Sequence, residues 1–392
     1  MSGAAALNTM KFFASCPRGL EAVLADELGS LGAKNIAAAQ GGVHFDGNLA
    51  VCYAVNLYSR IASRILWQLA HGPYRTEDDV YRAAAALPWE DWFSQQQTIR
   101  VNVTGSQCPL KSLDFITLRI KDAVCDRFRE KTGARPDVDT AAPDMRMHAF
   151  IDATHLTLYL DTSGEPLYKR GLRQESNEAP LRENLAAGIL ALAGWEPGVP
   201  LLDPMCGSGT FLLEAAQISL DIAPGARRGF AFEKIKNFDA PLWQRLLAKA
   251  RGAERPAEAL PLFGSDLYGD ALKAARVNFE QAGLAETVSL KQANMLEISA
   301  PAASGIMVTN PPYGVRLGDD DELAEFYPKL GHVLKQKFSG WNCYFLTADL
   351  RLAKLIRLSA SKRTVLFNGA LECRLFEYKM VAGGNRKEKS SV

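Results

Sequence analysis

Two short runs, about a hundred residues apart, carry residue types that could do chemistry. The first is Leu201-Leu202-Asp203-Pro204-Met205-Cys206-Gly207-Ser208-Gly209-Thr210, an apolar strand that ends in an acid and a glycine-rich turn before the apolar stretch 211–222. A strand, a glycine turn and a helix start are how a doubly wound sheet holds an adenosine-containing cofactor. Gly207 and Gly209 carry no Cβ, so the backbone can approach a ligand closely. The amides at the helix start can meet an anionic ligand atom, and Asp203 suits a positively charged amino group. The second run, Asn310-Pro311-Pro312-Tyr313-Gly314, follows the apolar strand 305–309. It offers the Asn310 side-chain carbonyl and the Pro311 backbone carbonyl to the N–H bonds of an exocyclic amine. The two prolines fix φ and keep those acceptors pointed, and Tyr313 can stack on a planar base.

An exocyclic amine on guanine or adenine is a poor nucleophile, because its lone pair is delocalised into the ring. Accepting both N–H bonds pulls that nitrogen toward a tetrahedral geometry. Methyl transfer from a sulfonium then needs positioning more than a strong base. The expected cofactor is therefore S-adenosylmethionine. It has no phosphate, and its amino-acid carboxylate is the natural anion for the helix start. Asp266 closes the strand 262–265 and suits a ribose diol, while Asn294 ends the strand 288–292 where an amide could meet the adenine edge. The expected cofactor set is Asp203, Pro204, Gly207, Ser208, Gly209, Thr210, Asp266, Asn294 and Asn310, and the expected catalytic set is Asn310, Pro311, Pro312 and Tyr313. The usual gap between turn and acid is about 20 residues, so residues 221–258 read as an insertion, with Trp243, Leu246 and Leu247 at helical spacing. No G-x-x-x-x-G-K-[ST] run indicates a phosphate-gripping NTPase. Cys206 sits inside the turn and reads as a packed small side chain rather than a nucleophile. The five histidines, at 44, 71, 148, 155 and 332, are scattered.

The elements that must position these runs alternate. From 201 onward strands and helices follow one another, which favours a parallel sheet with right-handed crossovers. The strands are 201–202, 262–265, 288–292, 306–309, 343–347, 364–367 and 374–381, and 182–193 reads as the helix before them. Upstream, residues 1–68 read strand, helix, strand, helix, with 54–69 as one long helix that would place Arg60 and Arg64 on one face. Residues 69–165 form a second α+β unit with strands at 98–104, 147–151 and 156–161. Its helix, 112–131, is capped by Ser112 and has Phe115, Leu118, Ile120, Val124 and Phe128 as its apolar positions. Ser163 to Ala179 is a polar connection and the expected domain boundary, and 383–392 reads as a frayed tail.

The 392 residues suffice for two or three domains with a large core. No apolar run is long enough to span a bilayer, and 1–10 lacks the pattern of a signal peptide. Seven cysteines with no C-x-x-C pair indicate neither a zinc site nor a disulfide framework, so reduced thiols in the cytoplasm are expected. The net charge is +1: residues 1–165 carry 16 basic and 19 acidic side chains, and the rest carry 29 and 25. RNA binding would then rest on local patches, since a global basic field is absent.

These runs resemble the Asn-Pro-Pro-Tyr branch of class I S-adenosylmethionine-dependent methyltransferases. Leu167-Tyr168-Lys169-Arg170-Gly171-Leu172-Arg173 and Ala179-Pro180-Leu181-Arg182-Glu183-Asn184 resemble the segment that precedes the fold in THUMP-containing RNA methyltransferases. Pro17-Arg18-Gly19-Leu20-Glu21, Gly41-Gly42-Val43-His44-Phe45, Ala142-Pro143-Asp144 and Phe338-Ser339-Gly340-Trp341-Asn342 are similar to the L half of the K/L large-subunit rRNA methyltransferases. The resemblance covers essentially the whole chain. It implies an α/β fold: a class I, Rossmann-like methyltransferase domain at 166–385 on a seven-stranded, mostly parallel sheet. Ahead of it come a ferredoxin-like domain at 1–68 and a THUMP domain at 69–165. It implies guanine-N2 methylation of large-subunit (23S) rRNA or a ribosome precursor; no metal, no membrane and no obligate protein partner are expected from the residues. The second activity of longer relatives is expected to be absent. Asn294 departs from the acid that the family carries at that position. Arg60, Arg64, Lys111, Arg119, Lys121, Arg170 and Arg173 are candidate RNA contacts. Guanine-N2 methylation of tRNA, adenine-N6 methylation and a catalytically silent RNA-binding or assembly protein remain open alternatives.

Overall fold

A computed structural model describes residues 9–170, 181–311 and 320–381. In chain order the first elements are β1 (Met10–Ser15), α1 (Glu21–Ser30), β2 (Lys34–Ala39), β3 (Gly42–Gly47), α2 (Leu49–Tyr58) and β4 (Arg64–Pro73). Then come α3 (Glu77–Ala85), α4 (Trp89–Trp92), β5 (Ile99–Gly105), α5 (Leu113–Thr132), β6 (Met145–Ile151) and β7 (His155–Asp161). The strand-and-helix alternation follows with α6 (Glu183–Leu192), β8 (Leu201–Asp203), α7 (Thr210–Ser219), α8 (Ala240–Ala253), β9 (Leu262–Asp266), α9 (Gly269–Ala282) and β10 (Ser289–Gln292). It closes with β11 (Gly305–Thr309), α10 (Asp320–Lys337), β12 (Trp341–Thr347), α11 (Leu352–Leu355), β13 (Lys362–Asn368) and β14 (Leu371–Lys379).

The chain divides into two units, each built on a seven-stranded sheet. In the first the strand order is β2-β3-β1-β4-β7-β6-β5. β4 pairs with β1 on one side and β7 on the other, so the boundary expected at 68–69 falls inside a strand that both N-terminal modules share. The long helix expected over 54–69 is not formed. α2 stops at Tyr58, because the Glu27 carboxylate takes the Ser59 hydroxyl at 2.5 Å and the Arg60 backbone N–H at 2.7 Å. Ile65-Leu66-Trp67 then pairs with Ala14, Phe13 and Phe12 of β1. A short apolar run cannot be told from a buried helix by periodicity alone. α5 forms as expected between its Ser112 cap and Gly133. Phe115 and Leu118 are nevertheless about half exposed, so only part of its apolar sequence faces the core.

The insertion is real and its placement was not foreseen. Ala223–Gly252 leaves the methyltransferase-like alternation and belongs to the first unit. There Phe232 stacks on Tyr53 of α2 at 4.4 Å, and Trp243 of α8 packs edge-on against Phe230, Phe232 and Tyr53. The Arg228 guanidinium donates to the carbonyls of Glu165 and Pro166 at 2.6 and 2.7 Å. Conversely, Pro17–Leu20 belongs to the second unit. Leu20 is fully buried there, and the Arg18 guanidinium lies 4.2 Å over the Phe367 ring. Gly19, at φ +94°, lies so close to the Val365 carbonyl that a Cβ would come within 2.2 Å of it.

In the second unit the order is β10-β9-β8-β11-β12-β14-β13. β10, β9, β8, β11 and β12 are mutually parallel, and β14 runs antiparallel to both neighbours. α10 packs Tyr327, Leu330 and Leu334, with Phe338 just past its end, against Met307, Phe345 and Trp341. Among the described residues no helix is long and apolar enough to cross a membrane.

Candidate active site

Parallel pairing brings the C-terminal ends of five strands to one edge. Asp203 stands opposite Gly264, Asp266 opposite Gln292, and Thr309 opposite Phe345. Asp203, the turn 204–209, Asp266, Asn294 and Asn310 therefore share that edge. A doubly wound sheet takes its ligands there.

The turn is held from several sides. Gly207 and Gly209 adopt φ of +54° and +83°, a backbone region that side chains with a Cβ rarely enter. A Cβ on Gly209 would also meet the Phe279 ring at 3.1 Å. Gly207 N–H donates to the Asp266 carboxylate at 2.9 Å, and Cys206 N–H donates to the Ser265 carbonyl at 2.9 Å. The fully buried Asn278 of α9 donates to the Ser208 carbonyl at 3.1 Å. Thr210 and Ser208 are buried, and α7 starts with Gly209 as its cap. Pro204 receives a 3.3 Å hydrogen bond from the Ser265 hydroxyl. Asn278 was not singled out from the sequence. The available signal was an amide among Leu272, Ala275, Phe279 and Ala282, on the helix face that becomes buried.

The electrostatics are set by two neighbouring acids. Burial, reinforced by the Asp266 charge, raises the Asp203 carboxyl to about 7, although the Thr309 hydroxyl and the Met205 N–H both favour its ionised form. An approaching cation would restore the carboxylate. Asp266 uses one oxygen for Gly207 and the other for the Tyr268 N–H at 3.0 Å. Leu267 and Tyr268 leave more than half their surface exposed beside it, an apolar wall of the kind a flat ring can cover. Burial, then the charges of Asp203 and Asp266, push the Cys206 thiol well above its ordinary value. A thiolate nucleophile is disfavoured there.

Asn310 carries the most pointed observation. Its side-chain oxygen is buried and has no hydrogen-bond partner, and a buried acceptor left unmade costs about 1–3 kcal/mol. Pro311 is buried beside it. Pro312 and Tyr313 lie outside the described residues. Asn294 is less free than its assignment requires: its side-chain oxygen accepts the Leu296 N–H at 3.0 Å and its amide nitrogen donates to the Glu297 carboxylate at 3.5 Å, which leaves one N–H able to turn to a ligand.

The candidate RNA contacts are dispersed. Arg64 starts β4 and forms an ion pair with the fully buried Asp161. Drawing it away would strip the buried carboxylate of its guanidinium and leave it the Ser163 and Gly164 N–H groups; breaking a buried pair costs up to about 3–5 kcal/mol. Arg170 is 3 % exposed and donates to the carbonyls of Leu167 and Arg60 at 2.8 Å. Both arginines serve as internal ties of the first unit. Arg60 lies in the turn after α2 and not on a helix face shared with Arg64. Arg119 pairs with Asp78 at 2.6 Å and Lys121 with Asp122 at 2.7 Å; Lys111 is exposed. Arg173 lies outside the described residues. Among the described residues no group of three or more His, Cys, Asp or Glu could hold a metal ion.

Comparison with known proteins agrees with this architecture. Residues 170–377 match the model of the RMKL-like methyltransferase domain, 74–161 the THUMP domain and 11–66 the RlmL ferredoxin-like domain. A putative RNA methyltransferase of Synechocystis is 40% identical over 95% of this chain and 97% of its own length. The ribosomal RNA large subunit methyltransferase K/L of Aeromonas salmonicida is 41% identical over 97% of this chain and 55% of its own length. The chain thus spans about half the length of the K/L relatives. The crystal structure of SMU.472, a putative methyltransferase complexed with SAH, superposes with a TM-score of 0.86 at 31% identity, covering 96% of this chain and 99% of that one. The glycine turn, the paired acids and the unpartnered Asn310 oxygen fit S-adenosylmethionine as the cofactor, and the chain belongs to the RMKL-like methyltransferases, with ferredoxin-like and THUMP domains ahead of the catalytic one.

Proposed function

We propose that this chain methylates the exocyclic N2 amine of a guanine in large-subunit ribosomal RNA, acting in the cytoplasm. The observation that carries the reading is the buried, unpartnered side-chain oxygen of Asn310 at the end of β11. An amine N–H is the partner this atom lacks. The Pro311 carbonyl serves as the second acceptor, so both N–H bonds are held and the nitrogen lone pair turns toward the donor. Asp203 holds the cofactor amino group, and Asp266 the ribose. Bound there, S-adenosylmethionine supplies an electrophilic methyl on a sulfonium. The target base must be unstacked to reach this edge, since a duplex hides its amine. The choice of ribosomal RNA rests on the K/L relatives, and the choice of guanine N2 over adenine N6 on the family resemblance.

The test is methyl transfer from labelled S-adenosylmethionine to unmodified large-subunit rRNA, small-subunit rRNA, tRNA and DNA in parallel, with the nucleoside identified by mass spectrometry. N2-methylguanosine in large-subunit rRNA alone is expected. N6-methyladenosine, or label confined to tRNA or DNA, would overturn the substrate while leaving the amine chemistry in place.

A further inference from the structure

We infer that the methyltransferase unit carries its own RNA-backbone track, a line of cations along Arg351, Lys354, Arg357 and Lys362 that begins at the catalytic edge. The inference rests on the RNA reading above and deepens it.

Residues 349–363 hold five basic side chains and one acid, in a chain whose net charge is +1. The segment is amphipathic in the folded unit. Leu352 and Ile356 are fully buried, and Leu355 and Leu358 pack against the same core. Arg351, Lys354, Arg357, Lys362 and Arg363 are all exposed. Packing therefore fixes which side the cations occupy. Arg357 adopts φ +55°, which ends the helical turn and lets the chain continue to β13 with its cations outward.

Position gives this line a direction. β12 lies beside β11 and parallel to it, so its C-terminal end shares the edge that holds Asn310. Immediately after β12, Asp349 grips the Arg351 guanidinium through two oxygens, at 2.9 and 3.0 Å, and Leu350 stands 57% exposed. The first cation is thus held in place beside the reaction edge, next to an apolar side chain on which a neighbouring base could rest. Further along, Lys335 of α10 donates to the Arg357 carbonyl at 3.3 Å, which brings another cation to the track.

The contrast with α5 decides between the two basic segments. There Arg119, Lys121, Arg127, Arg129 and Lys131 all have carboxylate partners, at 2.5 to 2.9 Å. In the track only Arg351 has such a partner, Asp349; among the described residues, Lys354, Arg357 and Lys362 have none. Unpaired cations are the ones that displace counterions from phosphate.

The experiment compares wild type with Lys354→Gln/Arg357→Gln/Lys362→Gln, three surface changes outside the catalytic and cofactor residues. Binding of a fragment of unmodified large-subunit rRNA is measured by anisotropy from 50 to 300 mM salt, alongside steady-state methyl transfer. Three lost single-strand phosphate contacts should flatten the slope of log K against log salt by about 2. KM for RNA should rise about tenfold or more at 0.1 M salt, while kcat and S-adenosylmethionine affinity stay within about twofold. A variant whose salt slope and KM match wild type overturns the inference and leaves the methyltransferase reading intact. A wild type that does not bind this rRNA fragment overturns both, and the wild-type arm alone reveals it. As a control, Arg119→Gln/Lys121→Gln on α5 should change the slope by less than the triple variant; a larger change there would move the track to α5 and overturn the assignment.

Discussion

Asp266 accepts the Gly207 backbone N–H at 2.9 Å across 59 residues of sequence, so one carboxylate both ends β9 and holds the glycine turn that follows β8. Its other oxygen accepts the Tyr268 N–H at 3.0 Å. The acid assigned to the ribose is therefore also a structural tie between the two neighbouring strand ends. Hydrogen bonds to a charged group contribute about 1.5–3 kcal/mol each. Asp266→Ala should weaken S-adenosylmethionine binding by about 10- to 100-fold in a calorimetric titration and should also lower the melting temperature of the free protein. A residue that touched only the ligand would change the first and spare the second. Loss of affinity with no thermal shift would therefore remove the turn-holding role.

The orphaned oxygen of Asn310 separates chemistry from binding. Asn310→Ala removes the acceptor and leaves the turn, Asp203 and Asp266 untouched. It should cut kcat at least about 100-fold, the loss typical of one preorganised polar group acting in the transition state. Cofactor affinity should stay within a few-fold. Because removing a buried, unpartnered acceptor relieves strain in the free protein, the variant should be no less stable than wild type in thermal unfolding. Unchanged turnover would take Asn310 out of the mechanism.

How much of this was legible beforehand differs by element. The central strands of the second sheet, β8, β9, β11 and β12, were readable because each is a short, largely apolar run closed by an acid, an amide or a turn. The function of those end residues follows from their place at the edge. The stretch 54–69 was misread because a buried strand following a buried helix shows no change in hydrophobicity. What ends α2 is Glu27, about thirty residues away, and no local signal announces it. The internal roles of Arg64 and Arg170 were hidden for the same reason: an arginine is written identically whether it faces a phosphate or a buried carbonyl. Asn278 supports the cofactor turn only because α9 folds back beneath it.

Asp203 should make cofactor binding depend on pH. Burial and the neighbouring Asp266 raise its carboxyl to about 7, against an ordinary value of 3.8. The folded protein therefore binds more protons than the unfolded chain between about pH 4 and 7. Stability of the free protein should fall as pH rises through that window, by a few kcal/mol at most, and level off above it. A cationic amino group needs the carboxylate, so affinity for S-adenosylmethionine should rise with pH up to about 7. It should decline again above about 8, where an α-amino group loses its own proton. Asp203→Asn should lower the maximum and abolish the acidic limb. The check is calorimetry across pH 5.5 to 9, in buffers of different ionisation enthalpy to count the proton released. An acidic limb that survives in Asp203→Asn would assign the titration elsewhere.

Trp243 tests whether the insertion is an integral part of the unit it joins. Its ring is 2 % exposed and lies 5.1 Å from Phe232 and 5.5 Å from Phe230, and Phe232 in turn stacks on Tyr53 of α2. Removing a buried aromatic of this size costs about 3–5 kcal/mol, through lost transfer energy and the cavity left behind. Trp243→Ala should therefore lower the unfolding midpoint markedly, and hydrogen exchange should quicken in α2 and β4 rather than in the strands that carry Asp203 and Asn310. The expectation is counterintuitive on sequence grounds, since Trp243 sits between β8 and β9, inside the stretch matched as methyltransferase domain. It follows from the chain itself: Ala223–Gly252 is buried with residues that precede 171, so a fragment cut near residue 165 would expose the face of Tyr53 that the insertion covers. Such a fragment should aggregate or unfold, and exchange that quickens only in β8 and β9 of Trp243→Ala would show instead that the insertion supports the catalytic sheet.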